Sequence, residues 1–507
     1  MSEFDPADFF APDRLEKLER LREAGVDPYP PEYRPTTSVG AFVDEYDDIE
    51  EIEDETTHRL AGRVVRINDL GGIAFVEIED ESGSVQLILD EDTDGYEHID
   101  ELDFVDIVGA EGEAIRSNTG ELSLHAETFT FLTKALKHHN PPGQSELGDR
   151  YETRAVKFWW DEVRDPVETR YHLTRDLRRF LDDRGFVEAE TPVLQNVAGG
   201  TDATPFETHL EAKDQDMYLR IATELHLKRL LVGGFEKVYE VGPVFRNEDI
   251  DVTHNPEFTM LELYQAYADY TDVMDLTEDM VAHLVEEATG DLVVTYDNPL
   301  RDENGNVRTD EENEVLTEPV EIDFTPPFPR LTPEEAIETY SADSIDVTEY
   351  DDEELRELAL EKGGEFPGGY SRGLGIMELF ENVAEYEIVD PTFVIDHPEE
   401  TSPLCKDHRE KEGRIERFEL FAAGFELANA YTELNDPVVQ GEHFAEQMAR
   451  REAGDEEAHQ MDEDFLDALA HGMPPAGGLG VGIDRLAMLV TNSQTIKDVI
   501  AFPIRGE

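Results

Sequence analysis

Val238 to Tyr270 reads VYEVGPVFRNEDIDVTHNPEFTMLELYQAYADY, two apolar runs separated by a polar loop. VYEVGPVF and FTMLELYQAY alternate with a period of two, which predicts an antiparallel pair of strands. At that period Arg246 and Glu248 share a face, and so do Met260, Glu262 and Tyr264. The loop holds His254 and Asn255. Glutamates on an otherwise apolar strand are unusual. Nearly a quarter of the residues are acidic, however, so a merely solvated face is an equally open reading.

Two further segments carry similar signals. Upstream, Asp165 and Pro166 read as an N-cap and first-turn pair, followed by Val167, Tyr171, Leu177 and Leu181 at helical spacing and closed by Gly185. The chain then passes into GFVEAETPVLQ (Gly185 to Gln195), where Pro192 suits a strand edge or an interface. Downstream, GGLGVGIDRLAMLV (Gly477 to Val490) predicts a glycine-rich strand running into a helix, with Arg485 near the junction. Glycines let a backbone approach a nucleotide, and a fixed guanidinium binds phosphate oxygens in pairs. The spacing fits neither a dinucleotide-binding fingerprint nor a P-loop.

Toward the N-terminus, DRLEKLERLR (Asp13 to Arg22) predicts a short charged helix. From His58 to Thr133 the pattern changes to five short alternating runs: HRLAGRVVRI, IAFVEIED, SVQLILD, FVDIVGAEGEAI and ELSLHAETFTFL. Five such strands suit an OB-type barrel, a fold that binds single-stranded nucleic acid on one face. HHNPPGQSE (His138 to Glu146) reads as a linker, and residues 298–321 as an acidic surface insertion.

The composition sets the surroundings. The 507 residues carry 121 acids against 42 Lys and Arg, a net charge of −79. In dilute buffer that self-repulsion opposes a compact state. Spread along the whole sequence, it fits a surface adapted to molar salt, where the Debye length is about 3 Å. Such salt leaves little counterion-release drive for a basic RNA-binding patch, so an RNA partner is not excluded and would be held by stacking and base-edge contacts. The lone Cys405 excludes an intramolecular disulfide. No apolar run is long enough to span a bilayer, no signal segment is visible, and a cytoplasmic protein without a membrane partner is expected.

Taken together, the hairpin arginine, the proline-ended helix–strand joint and GLGVGIDR resemble motifs 2, 1 and 3 of class II aminoacyl-tRNA synthetases. FRNEDIDVTHNPEFTMLELYQAYADY, FELANAYTELNDP (Phe425 to Pro437) and GLGVGIDRLAMLVTNSQTIKDVIAFP are similar to the lysine–tRNA ligase versions, and TGELSLHAETFTFLTKAL to that family's anticodon-binding barrel. The resemblance implies an α+β architecture: an N-terminal extension (1–57), an OB-fold anticodon-binding domain (58–137), a linker (138–150) and a class II catalytic domain on a mostly antiparallel sheet (151–507). It also implies a homodimer formed through the motif 1 region, with Mg²⁺, ATP, L-lysine and tRNA(Lys) as cofactor and partners.

Carried over position by position, the family's roles give Arg246 the α-phosphate and the substrate carboxylate, and with Arg485 the catalytic part. Glu248 would hold the adenine edge, Phe258 would stack on the ring, and His254 and Arg485 would grip the outer phosphates. Glu419 and Glu426 would hold Mg²⁺, with Glu419 also counted among the ATP ligands. Glu224 and Glu262 would take the α-amino group beside Gly200, Glu433 and Tyr264 the ε-ammonium, Asn429 the carboxylate, and Tyr431 would border the aliphatic stem. In the barrel, Phe75 would stack on an anticodon base while Gln86 and Glu121 read base edges. Arg63 and Arg66 face either RNA or solvent. Asn68 to Gly71 departs from the more basic sequence of bacterial relatives.

A lysine substrate brings two ammonium groups that must be paired when buried. An aspartate pocket would need a cation, and Leu427 to Pro437 contains no Arg or Lys. The alternatives are an aspartyl or asparaginyl enzyme of the same subclass and a non-catalytic RNA-binding paralogue.

Overall fold

The structure is a computed structural model that describes residues 4–140, 142, 147–201, 203–301, 307–310, 315–366, 369–452 and 460–504. Parts of the linker (141, 143–146) and of the acidic insertion (302–306, 311–314) lie outside the described residues. The chain divides into two compact units, Met1–Trp160 and Asp161–Glu507.

The first unit opens with helices α1 (Pro12–Glu23) and α2 (Val39–Tyr46). Strands β1 (Thr57–Asp69), β2 (Ile73–Asp80), β3 (Gly83–Asp90), β4 (Ile107–Arg116) and β5 (Leu122–Thr133) then close a barrel in the order β1-β2-β3-β5-β4. Leu60, Val64, Val76, Ile78, Leu87, Val108 and Leu124 alternate into its interior, as the period of two requires. Closure leaves no free sheet edge. Lys134, fully buried just past β5, is paired with Asp106 at 2.7 Å and Asp103 at 2.5 Å.

The second unit is built on a sheet of eight strands. In chain order these are β6 (Val187–Glu188), β7 (Lys237–Phe245), β8 (Glu257–Ala266), β9 (Arg330–Leu331), β10 (Thr392–Ile395), β11 (Arg417–Ala422), β12 (Phe425–Thr432) and β13 (Ala476–Gly482). The spatial order is β9-β10-β11-β12-β13-β8-β7-β6, antiparallel except for the outermost pair on each side. Helices α3 (Asp161–Asp182), α5 (Tyr270–Thr289) and α6 (Ile483–Val490) cover one face. Leu177 and Leu181 of α3, Val281 and Leu284 of α5, and Leu486 and Leu489 of α6 pack there on Leu261, Leu263, Phe418, Leu420, Leu479 and Val481. Helix α4 (Glu224–Val232) lies near the other face, the one that bears the site.

One local expectation is corrected. Helix α3 starts at Asp161, so Pro166 lies inside it rather than in its first turn. Asp161 and Glu162 occupy that turn, where the helix dipole favours acids. The two ends of the acidic insertion are paired strands. Val293–Pro299 and Thr317–Asp323 pair as an antiparallel ribbon, and Tyr296, Ile322 and Phe324 at its base are fully buried.

Candidate active site

Strand register builds the site. Across the sheet centre Arg417 faces Tyr431, Tyr431 faces Gly478, and Gly478 faces Tyr264. The adjacent row runs Glu419, Asn429, Gly480, Glu262. Residues in register point to the same side, so both rows lie on the face opposite the helical core. On β8 the alternation is clean: Leu261 and Leu263 are fully buried in the core, while Phe258, Met260, Glu262 and Tyr264 face the site.

The middle strand is bare because it is glycine. A Cβ on Gly478 would lie 2.0 Å from Glu433 Oε1 and 2.5 Å from the Tyr264 ring. Room kept free in this way becomes a cavity of about 340 Å³. Every site residue named from the sequence for the catalytic domain lines it, from Gly200 and Glu224 through Arg246 to Glu426, Glu433 and Arg485. One position differs in setting. Strand β7 ends at Phe245, so Glu248 sits on an exposed loop rather than sharing a strand face with Arg246.

One end of the cavity is acidic and buried. Glu224, the first residue of α4, is 5 % exposed, and Glu262 and Glu433 are 4 % and 1 % exposed. Glu262 accepts from Thr223 N at 2.9 Å and from the Tyr264 hydroxyl at 3.2 Å. The Tyr264 hydroxyl therefore already has a carboxylate partner at this end of the cavity. The Tyr431 hydroxyl donates to Glu224 Oε2 at 2.7 Å, a contact that phenylalanine would lack. Burial, and next the charge of Glu224, push the Glu262 carboxyl up to about 7.

The opposite end is mixed in charge. Arg246 lies over the Phe258 ring at 5.2 Å, and its Nε is buried without a partner among the described residues. Arg485 donates to the Glu426 carbonyl at 2.9 Å and lies 3.1 Å from His254 Nε2, while His254 Nδ1 is 2.9 Å from Asp251. Arg417 donates to Glu419 Oε1 at 2.5 Å and to Asn429 Oδ1 at 3.2 Å. Beneath Glu419 the fully buried His397 is held neutral, its pKa lowered to about 3 by burial and then by Arg417.

Among the described residues no group of three or more His, Cys, Asp or Glu is arranged to hold a metal alone. Glu419 and Glu426, hard oxygen donors on neighbouring strands that line one cavity, do fit Mg²⁺. That ion takes one or two carboxylates and completes its shell with phosphate and water. The cavity can thus hold a cationic group at one end and a phosphate chain at the other.

Three participants were missed from the sequence. Arg417 precedes Glu419 by two on a strand, a spacing that would have revealed the shared face. Lys228 follows Glu224 by four on a helix and is paired with it. Both lie outside Leu427 to Pro437, and each is matched to a protein carboxylate. The third is Asp484, 2 % exposed, whose carboxylate joins all three motif segments. It accepts from Arg170 Nε of α3 at 2.5 Å and from Thr259 N of β8 at 2.8 Å, and sits beside Arg485 on α6.

In the barrel, register puts Asn68 against Phe75, Arg66 against Glu77, Glu77 against Gln86 and Gln86 against Ser123, all on the outer face. Gln86 donates to Ser123 Oγ at 2.8 Å, and Glu121 is exposed two residues before Ser123. Arg66 is exposed on this face. Arg63 is not open to a partner in the same way: it stacks on Trp159 at 4.2 Å and donates to Val105 O at 3.0 Å.

Because Asp484 is a buried ion-pair partner, Asp484→Ala should lower unfolding free energy by about 3 kcal/mol, read from denaturant melts in molar KCl. Asp484→Asn keeps an acceptor for Thr259 N and should lose less.

Comparison with known proteins agrees with this geometry. The family of class II tRNA synthetases (D, K and N) matches residues 147–506, and the OB-fold nucleic acid binding domain family matches residues 58–132. The lysine–tRNA ligase of Moorella thermoacetica is 47 % identical over 97 % of this chain and 96 % of its own. Those of Bacillus mycoides and Saccharolobus solfataricus are 44 % and 43 % identical over the same shares. At that similarity along nearly its whole length, the chain belongs to the lysine–tRNA ligase family of the class II aminoacyl-tRNA synthetases.

Proposed function

We propose that the protein attaches L-lysine to tRNA(Lys) using ATP, through a lysyl-adenylate, releasing pyrophosphate and then AMP. The observation that carries this reading is the meeting of Glu224, Glu262 and Glu433 in one cavity with Arg246 and Arg485. Buried carboxylates of that number suit a dication, and the two arginines suit phosphates.

In the first step a lysine carboxylate oxygen attacks the α-phosphorus, and the bond to the pyrophosphate oxygen breaks. No general base is needed, because the nucleophile is already ionised. The residues act by positioning and by neutralising charge. Arg246, with an unpaired buried Nε, bridges the α-phosphate and the carboxylate. Phe258 and Glu248 hold the adenine, and His254 and Arg485 the outer phosphates. Glu419 and Glu426 hold Mg²⁺, which when bound neutralises phosphate oxygens. Glu224 and Glu262 take the α-ammonium beside Gly200, Glu433 and Tyr264 the ε-ammonium, Asn429 assists at the carboxylate, and Tyr431 borders the aliphatic stem. In the second step a terminal ribose hydroxyl of the tRNA attacks the carbonyl carbon, and AMP leaves.

An aspartyl or asparaginyl reading is not favoured, since Arg417 and Lys228 are already matched by Glu419, Glu224 and Glu433. A non-catalytic paralogue would have no need of the complete phosphate-binding set. ATP–pyrophosphate exchange, run with each amino acid singly in molar KCl, should respond to lysine; exchange with aspartate alone would end the reading. Since Glu262 must be ionised to meet an ammonium and its pKa is raised to about 7, lysine affinity should fall as pH drops below about 7. The KM for lysine should then rise toward tenfold per pH unit, with the KM for ATP much less affected.

The outer barrel face is proposed as the anticodon site, with Phe75 stacking and Gln86 and Glu121 reading edges. Phe75→Ala should raise the KM for tRNA about tenfold or more in the charging assay and leave pyrophosphate exchange unchanged. Equal effects on both assays would remove the assignment.

A homodimer is supported by apolar side chains standing in water in the motif 1 region: Val187 is 49 % exposed and Leu194 45 %. The net charge of −79 supports a salt-adapted cytoplasmic setting, and no described helix is long and apolar enough to cross a membrane. Sedimentation in molar KCl should give twice the chain mass, and the melting temperature should fall as KCl is removed. A salt-indifferent monomer would contradict both proposals.

A further inference from the structure

Lys228 is a cation where a cation-binding pocket would not be expected to have one. It is fully buried on α4, one turn from Glu224. Its Nζ lies 2.5 Å from Glu224 Oε1 and is in direct contact with Glu433 Oε2. The rings of Tyr264 and Tyr431 flank it at 5.9 and 5.5 Å. It does not line the cavity, although the two carboxylates and both rings do. Lys228 therefore stands behind the acidic wall, beyond reach of solvent or ligand. Burial alone would lower its pKa, but Glu224 and Glu433 more than reverse this, so it is a permanent charge.

The charge of the acidic end follows from these contacts. Glu224, Glu262 and Glu433 supply three negative charges when ionised, and Lys228 removes one. Two remain, matching the two ammonium groups of lysine. With no internal cation, three carboxylates would share one low-dielectric space, and like charges so close cannot all ionise. One would take a proton, and without the Lys228 contacts to Glu224 and Glu433 nothing fixes which one.

We propose that Lys228 is a specificity-determining positioning residue: it holds Glu224 and Glu433 in place and, when all three carboxylates are ionised, leaves the pocket with two negative charges, matching a dicationic amino acid. A monocationic analogue of the same shape leaves one carboxylate unpaired in the closed pocket, and an anionic side chain meets a carboxylate. The inference rests on the reading that Glu224, Glu262 and Glu433 receive the substrate's ammonium groups.

Charge matching and simple structural support differ in a double-variant test. Lys228→Met keeps the volume and leaves three carboxylates among which one proton has no fixed place. Glu433→Gln leaves a net charge of one, which is too few. Combining them leaves two carboxylates and two negative charges. In lysine-dependent ATP–pyrophosphate exchange with the full chain in molar KCl, each single variant should raise the KM for lysine by roughly a hundredfold. The KM for ATP should move by no more than about twofold. Despite carrying both changes, Lys228→Met/Glu433→Gln should bind lysine about tenfold better than either single variant.

A double variant no better than the worse single would overturn the proposal. If Glu433→Gln does not selectively raise the KM for lysine, the assignment of the carboxylates fails first, which is a separate result. Should Lys228→Met not fold, comparing Glu433→Gln with the double variant decides the matter. A double variant that fails to fold where Glu433→Gln folds would overturn the proposal equally.

Discussion

Gly478 and Gly480 stand at the centre of the eight-stranded sheet, and the site depends on their having no side chains. Four strands meet around them, and each contributes residues aimed at the same face. Were β13 to alternate like its neighbours, its outward side chains would occupy the cavity and push Glu433 and Tyr264 aside. The opposite alternation of β13, Leu479 and Val481, is buried in the helical core. One strand thus satisfies two demands at once: dense packing behind and empty space in front. Glycine weakens a strand by about 0.5–1 kcal/mol relative to alanine. That local loss is offset by the neighbouring strands, which hold β13 on both sides.

Charge is handled differently at the surface and in the site. Many surface acids do local work: Asp269, Thr332 with Glu335, and Asp351 with Glu354 form reciprocal caps on helix N-termini. These need only short-range geometry, so they tolerate any salt concentration. The three acids at the buried end of the cavity, Glu224, Glu262 and Glu433, are individually matched to Tyr264, Tyr431, Thr223 and Lys228. Composition therefore says little about which carboxylates bind a ligand. Their donors say much more.

Much of this was legible in the sequence. The five alternating runs of the barrel correspond to five strands, and FTMLELYQA, FELANAYT and the glycine-rich AGGLGVG are three adjacent strands of the central sheet. Period two was enough to put Met260, Glu262 and Tyr264 on one face. Where alternation stops, the reading failed: Glu248 lies just past the end of β7, and the strand rule no longer applies to it. Pro166 was read as a helix start because proline is favoured there, but Asp161 and Glu162 begin the helix earlier. Arg63 lies on a strand face that alternation alone leaves open, yet Trp159, almost a hundred residues on, is stacked on it. Contacts of that kind are set by tertiary packing and leave no periodic trace. Lys228 illustrates both sides: its partner Glu224 is visible at helical spacing, whereas Glu433 comes from a segment about 200 residues away.

The register also explains how one sheet keeps two chemistries apart. Glu419 and Glu262 lie in one cross-strand row, separated by three strand steps, about 14 Å. At that distance in molar salt, roughly five Debye lengths, their charges barely interact where water fills the space. Across the same interval Asn429 and Gly480 present a neutral stretch. On the proposed reading, a substrate whose ammonium groups lie at the Glu262 end points its carboxylate away from the buried acids, and the Arg246 Nε, buried without a partner among the described residues, is free to receive it. The register thus separates the buried acids around Glu262 from the Glu419 end by a neutral interval, which the proposed chemistry requires.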